Sequence, residues 1–313
     1  MKYRHLGNSG LEVSVIGLGT NNFGGRMEFK EAREVIYAAL DEGINLIDTA
    51  NMYSHGNSEE IIGRSLLDRR EDALIATKFG MLWTEGPHGK GGSRKHVMDA
   101  LEGSLRRLQT DYVDLYQIHQ QDPDTPIEET LRALDDAVRD GKVRYIGLSN
   151  FDPWRIADAV WAARYSGFVP LISSQPEYSM LERGIERAVL PVCEYFGLGT
   201  LPYFPLAHGF LTGKYRRGAK VPEGTRLALT PAAQGRRLTD ANFDVLEQLE
   251  VFAEKRGHMM VELAFAWILA RKSVSSVIAG ASTPEQISQN AAATEWELTG
   301  DEMDELAGIL EGQ

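Results

Sequence analysis

The sequence is poor in several features that would mark large classes of protein. A single cysteine, Cys193, stands among 313 residues, so no internal disulfide can form and a reducing compartment is the natural setting. One cysteine and no closely spaced histidine pair also argue against a zinc centre, and no metal is expected. The longest strongly apolar stretch, Leu263 to Ala270, falls far short of the ~20 residues that cross a bilayer. The first residues, with Lys2, Arg4 and His5, lack the apolar core of a secretory leader, so a cytoplasmic location is expected. Positive charge is scarce too: 33 Lys and Arg stand against 45 Asp and Glu, a formal net charge of −12. That balance speaks against nucleic acid and anionic lipid as partners, since both need clustered cations. No Pro/Gly/Ser-rich linker or low-complexity run divides the chain, which reads as one domain over residues 1–313.

What the chain does contain is a recurring unit: a short β-rich apolar run, a polar turn, then a stretch of helical periodicity. The runs are Val13–Leu18, Ile44–Asp48, Ala73–Thr77, Val113–Ile118, Val143–Leu148, Leu171–Ser174, Thr200–Tyr203 and Val274–Ile278. Between them lie Phe29–Glu42, Ser58–Leu67, Ser93–Leu108, Pro126–Asp140, Pro153–Tyr165, Gly184–Phe196, a region 239–271 in two pieces, and a helix from Thr283-Pro284 to about Ala293. In the first of these, Ala32, Val35, Ile36 and Ala39 make the stripe of an amphipathic helix. Pro126 and Pro153 suit first-turn positions, and Gly43 and Gly141 suit helix ends. Eight alternations predict an α/β fold, a (β/α)8 TIM barrel, in preference to an open doubly wound sheet. A short N-terminal β-hairpin turning at Gly7-Asn8-Ser9-Gly10 and an extra C-terminal helix after Leu298 are expected outside the eight units.

In such a barrel the catalytic groups gather at the C-terminal ends of the strands. Asp48, Lys78, His119 and Ser149-Asn150 fall at the ends of four successive runs, and Tyr53 follows in the loop after Asp48. Each has a plain reading of its own: a cap for Asp48, a solvated charge for Lys78, a hydrogen-bonded structural residue for His119. Together they suit proton transfer. An unperturbed phenol has a pKa near 10, and a neighbouring ammonium would bring it towards the working range. Lys78 would need a counter-ion, which Asp48 supplies. His119 could orient a carbonyl oxygen or share in the proton transfer.

The segment Gly43-Ile-Asn-Leu-Ile-Asp48-Thr-Ala-Asn-Met-Tyr53, followed by Gly56-Asn-Ser-Glu59, resembles the first fingerprint of the aldo-keto reductase superfamily. The likeness continues through Ala76-Thr-Lys78-Phe, Leu115-Tyr-Gln-Ile-His119, Ile146-Gly-Leu-Ser-Asn150-Phe, Pro205-Leu with Gly209-Phe-Leu-Thr-Gly-Lys214-Tyr, and Gly280-Ala-Ser-Thr-Pro-Glu-Gln-Ile with Asn290. The resemblance implies an oxidoreductase that binds an extended nicotinamide dinucleotide without a Rossmann domain and reduces an aldehyde or ketone. It implies a catalytic tetrad of Asp48, Tyr53, Lys78 and His119. It implies further that Ser149, Asn150 and Gln175 hold the nicotinamide carboxamide and that Tyr203 stacks on the ring. Leu206, Gly209, Leu211, Gly213 and Lys214 would follow the pyrophosphate. Gly280, Ser282, Thr283, Gln286 and Asn290 would take the adenosine and any 2′-phosphate, at a helix start with free N–H groups.

The sequence departs from the family pattern at the last of these sites. Many NADPH-preferring members carry Lys and Arg where Gly280 and Gln286 stand here. NADP(H) is the expected carrier from the family's general habit, with NAD(H) left open. Pro176 after Gln175 removes a backbone donor, and His208 in the pyrophosphate loop has no assigned role. Phe23, Met27 and Trp83 are candidates either for a substrate wall or for loop anchors. A Rossmann dehydrogenase fits poorly, because Gly17-Leu-Gly19-Thr-Asn-Asn22 lacks the third small residue of the dinucleotide fingerprint. A redox-sensing, cofactor-binding regulatory subunit resembling the β-subunits of potassium channels is the competing role. No motif names a substrate or an oligomeric state.

Overall fold

The structure is a computed structural model that describes residues 1–311. Its strands are β1 (Tyr3–His5), β2 (Glu12–Ser14), β3 (Ile16–Gly19), β4 (Leu46–Asp48), β5 (Leu74–Phe79), β6 (Val113–Ile118), β7 (Val143–Ser149), β8 (Leu171–Gln175), β9 (Gly199–Thr200) and β10 (Val277–Gly280). The first two pair antiparallel as the expected hairpin; the other eight run parallel in the order β10-β3-β4-β5-β6-β7-β8-β9. Isolated bridges from Thr200 to Val274 and from Tyr203 to Ile278 join the two ends of that sheet and close the ring. The Ser275 N–H donates to the Thr200 carbonyl at 3.0 Å and the Ile278 N–H to that of Pro202 at 2.8 Å across the same joint.

The helices follow the strands outside the barrel: α1 (Phe29–Asp41), α2 (Asn57–Ser65), α3 (Arg94–Leu108), α4 (Ile127–Arg139), α5 (Pro153–Ser166), α6 (Val189–Phe196), α7 (Pro231–Arg237), α8 (Asp240–Glu254), α9 (Met260–Leu269), α10 (Pro284–Ala292) and α11 (Gly300–Leu310). The stripe read from the sequence of α1 is its buried face, made by Ala32, Val35, Ile36, Ala39 and Leu40. Burying an aliphatic side chain of that size contributes about 1.5–3 kcal/mol, which is what lays the helix on the sheet. Gly43 and Gly141 follow the last turns of α1 and α4 with positive φ, as expected of stop positions. Among the described residues, no helix is long and apolar enough to cross a membrane.

Several boundaries differ from the sequence reading. The run Val13–Leu18 is divided between the hairpin and the barrel, because the chain turns at Val15, whose N–H is held by the Lys2 carbonyl. The run 200–203 carries Pro202, which has no N–H to donate, and β9 keeps only two residues. Pro126 is the cap before α4 rather than a first-turn residue, whereas Pro153 does open α5. The region 184–196 begins as a 3-10 turn and becomes helical only after Ala188, whose φ of −148° lies outside the helical range. Helix α7, opened by Pro231, is absent from the sequence reading altogether.

Two apolar layers result. The larger lies between strands and helices. The smaller fills the barrel itself with Leu46, Ala76, Leu115, Ile172, Leu201 and Ile278, and Leu6 and Val13 of the hairpin pack into the same cluster. The hairpin thereby stoppers the end of the barrel away from the strand C-termini. Gly7 makes this possible: it has φ +59°, and a Cβ there would lie 2.5 Å from the Gly197 carbonyl oxygen.

Candidate active site

The strand ends bring Asp48, Lys78 and His119 onto one rim, as parallel pairing of β4, β5 and β6 requires. Lys78 Nζ donates to Asp48 Oδ2 at 2.7 Å and to the Thr49 carbonyl at 2.8 Å, and lies 3.4 Å from the Tyr53 hydroxyl. Both charged side chains are almost wholly out of solvent. Such a pair is held by geometry rather than by Coulomb attraction alone, because desolvation of two ions opposes burial. The other Asp48 oxygen accepts from Gln175 Nε2 at 2.8 Å. Tyr53 opens a 3-10 turn in which Ser54 and His55 take left-handed φ of 49° and 53°, a tight bend that returns the phenol over the barrel mouth. Its ring meets the His119 imidazole edge to face at 5.8 Å.

The rest of the fingerprint braces this corner. Glu59, fully buried, accepts from Thr77 at 2.6 Å and from Arg107 Nε at 2.7 Å. The Ser58 hydroxyl sits 2.9 Å from both the Thr20 and Thr49 hydroxyls. The motif residues after Tyr53 therefore tie α2 to the ends of the neighbouring strands.

Burial raises the Tyr53 phenol above its ordinary pKa, against the opposing pull of Lys78. Here the structure corrects the expectation that the lysine alone brings it down: the loss of water around a half-enclosed phenol outweighs one nearby cation. The phenol is consequently protonated at neutral pH. Burial also disfavours the Lys78 ammonium, but Asp48 and Tyr53 together hold its pKa above the usual value. Burial, and then the Lys78 charge, lower His119 to about 3. His119 is thus a neutral imidazole near pH 7, suited to orienting an oxygen and unsuited to releasing a proton.

Ser149, Asn150, Gln175 and Tyr203 form one hydrogen-bonded chain along the next strand ends. Tyr203 donates to Asn150 Oδ1 at 2.7 Å, Asn150 Nδ2 donates to the His119 carbonyl at 3.0 Å, and Ser149 Oγ donates to the Gln175 carbonyl at 2.8 Å. Asn150 itself has φ +56°. Gln175 is shared, since its amide nitrogen serves Asp48. Pro176 leaves that contact intact, and its carbonyl accepts the Tyr203 N–H at 3.0 Å.

Beyond Tyr203 opens a cleft of about 920 Å³ between the β9 and β10 ends. Leu206, Gly209, Gly213 and Lys214 line one wall, and Gly280, Ser282, Gln286 and Asn290 line the other. Leu211 and Thr283 do not line it: Leu211 is buried in the core, and Thr283 caps α10 by accepting the Gln286 N–H. The glycines matter to the shape. Gly213 has φ +74°, and a Cβ there would stand 2.7 Å from Glu250 Oε1; one at Gly209 would stand 3.1 Å from Lys214 Nζ. The opening of α10 is less free than its sequence implies, because Gln286 Oε1 folds back onto the Ser282 N–H at 2.8 Å. His208 lines the cleft with φ +62° and an unpartnered, buried Nδ1. Burial and the charges of Arg226, Arg237 and Arg236 lower it to about 4.

Asn22, Arg26 and Arg226 are among the cleft residues that the sequence reading misses. The Arg226 guanidinium lies over the Phe204 ring at 4.4 Å, and burial, then the charge of Arg26, lower its pKa to about 10. Neither arginine sits in a recognisable motif, so only the fold could bring them to the cleft. Of the three substrate-wall candidates, Phe23 and Met27 are core residues, with the Met27 sulfur accepting from Asn22 at 2.8 Å. Trp83 lies under the Arg107 guanidinium at 4.7 Å. Phe23 and Met27 thus anchor the β3–α1 loop, while Trp83 is half-buried. A cleft with a glycine cradle, a lysine, two guanidiniums that have no acidic partner among the described residues and an orphaned histidine nitrogen fits the charge of a nicotinamide dinucleotide.

The comparisons agree with the barrel. The model of the Aldo/keto reductase family matches residues 15–311, and the chain belongs to that family. A rice protein (Oryza sativa subsp. japonica) named "Probable voltage-gated potassium channel subunit beta" is 37% identical, covering 100% of this chain and 98% of its own. The "L-glyceraldehyde 3-phosphate reductase" of Escherichia coli (strain K12) is 37% identical over 94% of this chain and 87% of its own. The "Aldo-keto reductase YhdN" of Bacillus subtilis (strain 168) is 35% identical over 99% and 94%. Membership and the reductases among these relatives support an oxidoreductase.

Proposed function

We propose that residues 1–313 work as one barrel domain that reduces aldehydes or ketones to alcohols with NAD(P)H, using Tyr53 as the general acid. The observation that carries this reading is the buried contact of Lys78 with both Asp48 and the Tyr53 hydroxyl at the barrel mouth. A reduced nicotinamide dinucleotide, when bound, supplies the hydride that reaches the carbonyl carbon. Tyr53 gives its proton to the carbonyl oxygen as negative charge develops there. Lys78 stabilises the phenolate left behind, and Asp48 keeps Lys78 charged and in place. The neutral His119 orients the same oxygen. Ser149, Asn150 and Gln175 hold the carboxamide, Tyr203 stacks on the ring, and Lys214 with Arg226 faces the pyrophosphate.

NADP(H) is the carrier taken here, from the family's habit, and Gly280 and Gln286 are the positions that weigh towards NAD(H). Parallel titrations with NADPH and NADH separate the two. The second reading, a redox-sensing regulatory subunit, is favoured by the rice relative's name. Stopped-flow oxidation of NADPH by 4-nitrobenzaldehyde distinguishes them: the enzyme reading expects turnover that falls about 10²–10⁴-fold in Tyr53→Phe, the usual range for a lost general acid. Tight cofactor binding with negligible turnover in the parent chain supports the regulatory reading. Undiminished turnover in Tyr53→Phe overturns the proton assignment.

A further inference from the structure

Helix α5 is apolar on two faces. One face packs Ile156, Ala159, Val160 and Ala163 against the barrel. The opposite face carries Trp154, Trp161 and Tyr165, which are 61%, 55% and 96% exposed. These follow one another at i, i+7 and i+11, a single stripe along the helix. The neighbouring α6 extends the patch with Tyr195, 79% exposed, whose ring meets Phe196 at 4.9 Å, and Phe196 in turn meets Trp161 at 6.1 Å. Taken with the size of aromatic side chains, these four expose on the order of 600 Å². That is at the upper end of the patches monomers carry, and it is most of the ~800 Å² each partner gives to a stable interface.

The charges on this stripe point to what covers it. Asp158 and Arg164 are both exposed and stand three residues before and three residues after Trp161. Neither has a charged partner within the chain among the described residues, although the Arg164 guanidinium lies over the Trp161 and Phe196 rings at 5.4 and 5.3 Å. A two-fold axis beside Trp161 sets two α5 helices antiparallel, brings Trp161 against its own copy, and puts the Asp158 turn of each at the level of the Arg164 turn of the other. A surface whose opposite charges are equally spaced about its central aromatic complements itself, as an isologous contact requires. An asymmetric partner would place no such demand on the spacing.

We infer that the chain forms a two-fold homodimer through the α5 and α6 aromatic face, centred on Trp161 and keyed by Asp158 and Arg164. Buried aromatics with arginine at their edge are the usual anchors of such contacts. The interface lies outside the cleft and does not depend on the reaction proposed above.

Sedimentation velocity of the full chain across the micromolar range tests this. The expected result is a concentration-dependent species of twice the chain's mass, and at least a tenfold weaker association in Trp161→Glu. Asp158→Arg and Arg164→Asp should each weaken association several-fold, and the double variant Asp158→Arg/Arg164→Asp should restore it, since the exchange recreates both pairs. All three positions are exposed, and unchanged thermal unfolding by circular dichroism verifies that each variant is folded. A monomer at every concentration, a Trp161→Glu variant that associates as the parent does, or a double variant no stronger than the singles would each overturn the inference. Cosedimentation of a monomeric parent chain with zwitterionic lipid vesicles would overturn it too, assigning the aromatics to a lipid surface.

Discussion

The proton-handling rim and the dinucleotide cleft sit side by side, yet they are built from different kinds of backbone. Asp48, Ser149 and Gln175 end strands, Lys78 is the last residue but one of its strand, and His119 follows one directly, so ladder pairing fixes their spacing before any side chain is considered. The cleft is built largely from loops: His208, Gly209 and Gly213 all take positive φ, and Ala207–Thr212 form a broken 3-10 turn. At the rim Lys78 is bonded to Asp48 and to the Thr49 carbonyl and only His119 Nδ1 is an orphan, whereas the cleft keeps Asn22 Oδ1 and His208 Nδ1 without partners among the described residues. A site that moves a proton profits from rigid placement, and a site that takes up a large anion needs donors left unsatisfied.

The sharpest way to break this contrast is to remove the cation at the rim. Lys78→Met leaves Asp48 buried with only Gln175 for company. It is expected to lower stability by about 3–5 kcal/mol, the usual penalty for a stranded buried charge. Urea unfolding measures it, and adding Asp48→Asn should recover part of the loss.

Each region also holds one histidine with a depressed pKa, so acid should strain both. The unfolded chain protonates its histidines near pH 6.5, while His119 does so only near about 3 and His208 near about 4. Between these values the unfolded state binds more protons. The stabilisation is therefore complete above pH 6.5 and is lost as pH falls towards 4, by up to about 1.4 kcal/mol per unit for each histidine. Denaturation midpoints at pH 7, 6 and 5 test this, and His119→Asn or His208→Asn should each flatten the slope.

Smaller effects should separate binding from chemistry. Gly213→Ala forces a Cβ into a left-handed position beside Glu250, at about 1–2 kcal/mol. Fluorescence titration should show weaker NADPH binding, with kcat at saturating cofactor nearly unchanged. Smallest is Gln286→Arg, which frees the Ser282 N–H and adds an exposed cation. A shift of up to about fivefold towards NADPH over NADH is expected, shrinking as salt is added.

The same contrast decides how much could be read from sequence. The barrel, its hairpin and the rim were legible because strand ends repeat at regular intervals and four reactive residue types fell on successive ones. The hydrophobic stripe of α1 was legible for the same reason, periodicity. The cleft was legible only as motif, and its details were not: Gln286 folding back onto Ser282, or Arg226 crossing to Phe204, depends on loop conformation with no periodic signal. Helix α7 was missed because Pro231 and the polar stretch after it resemble a turn as much as a helix start. The Tyr53 phenol went the other way from the simple charge argument, because its burial cannot be seen in the spacing to Lys78.

The joint between β9 and β10 gives the barrel a clasp. Every other neighbouring pair of barrel strands is sewn by a ladder, but here two isolated bridges hold the ring shut. The cleft opens directly above that joint, with Leu206 and Lys214 on one side of it and Gly280 and Ser282 on the other. Whatever binds there fastens the clasp from outside, so an occupied cleft should slow amide exchange at Thr200 and Ile278 as well as raise the unfolding temperature. The hoop is weakest where its occupant lies, and the occupant becomes part of what keeps it round.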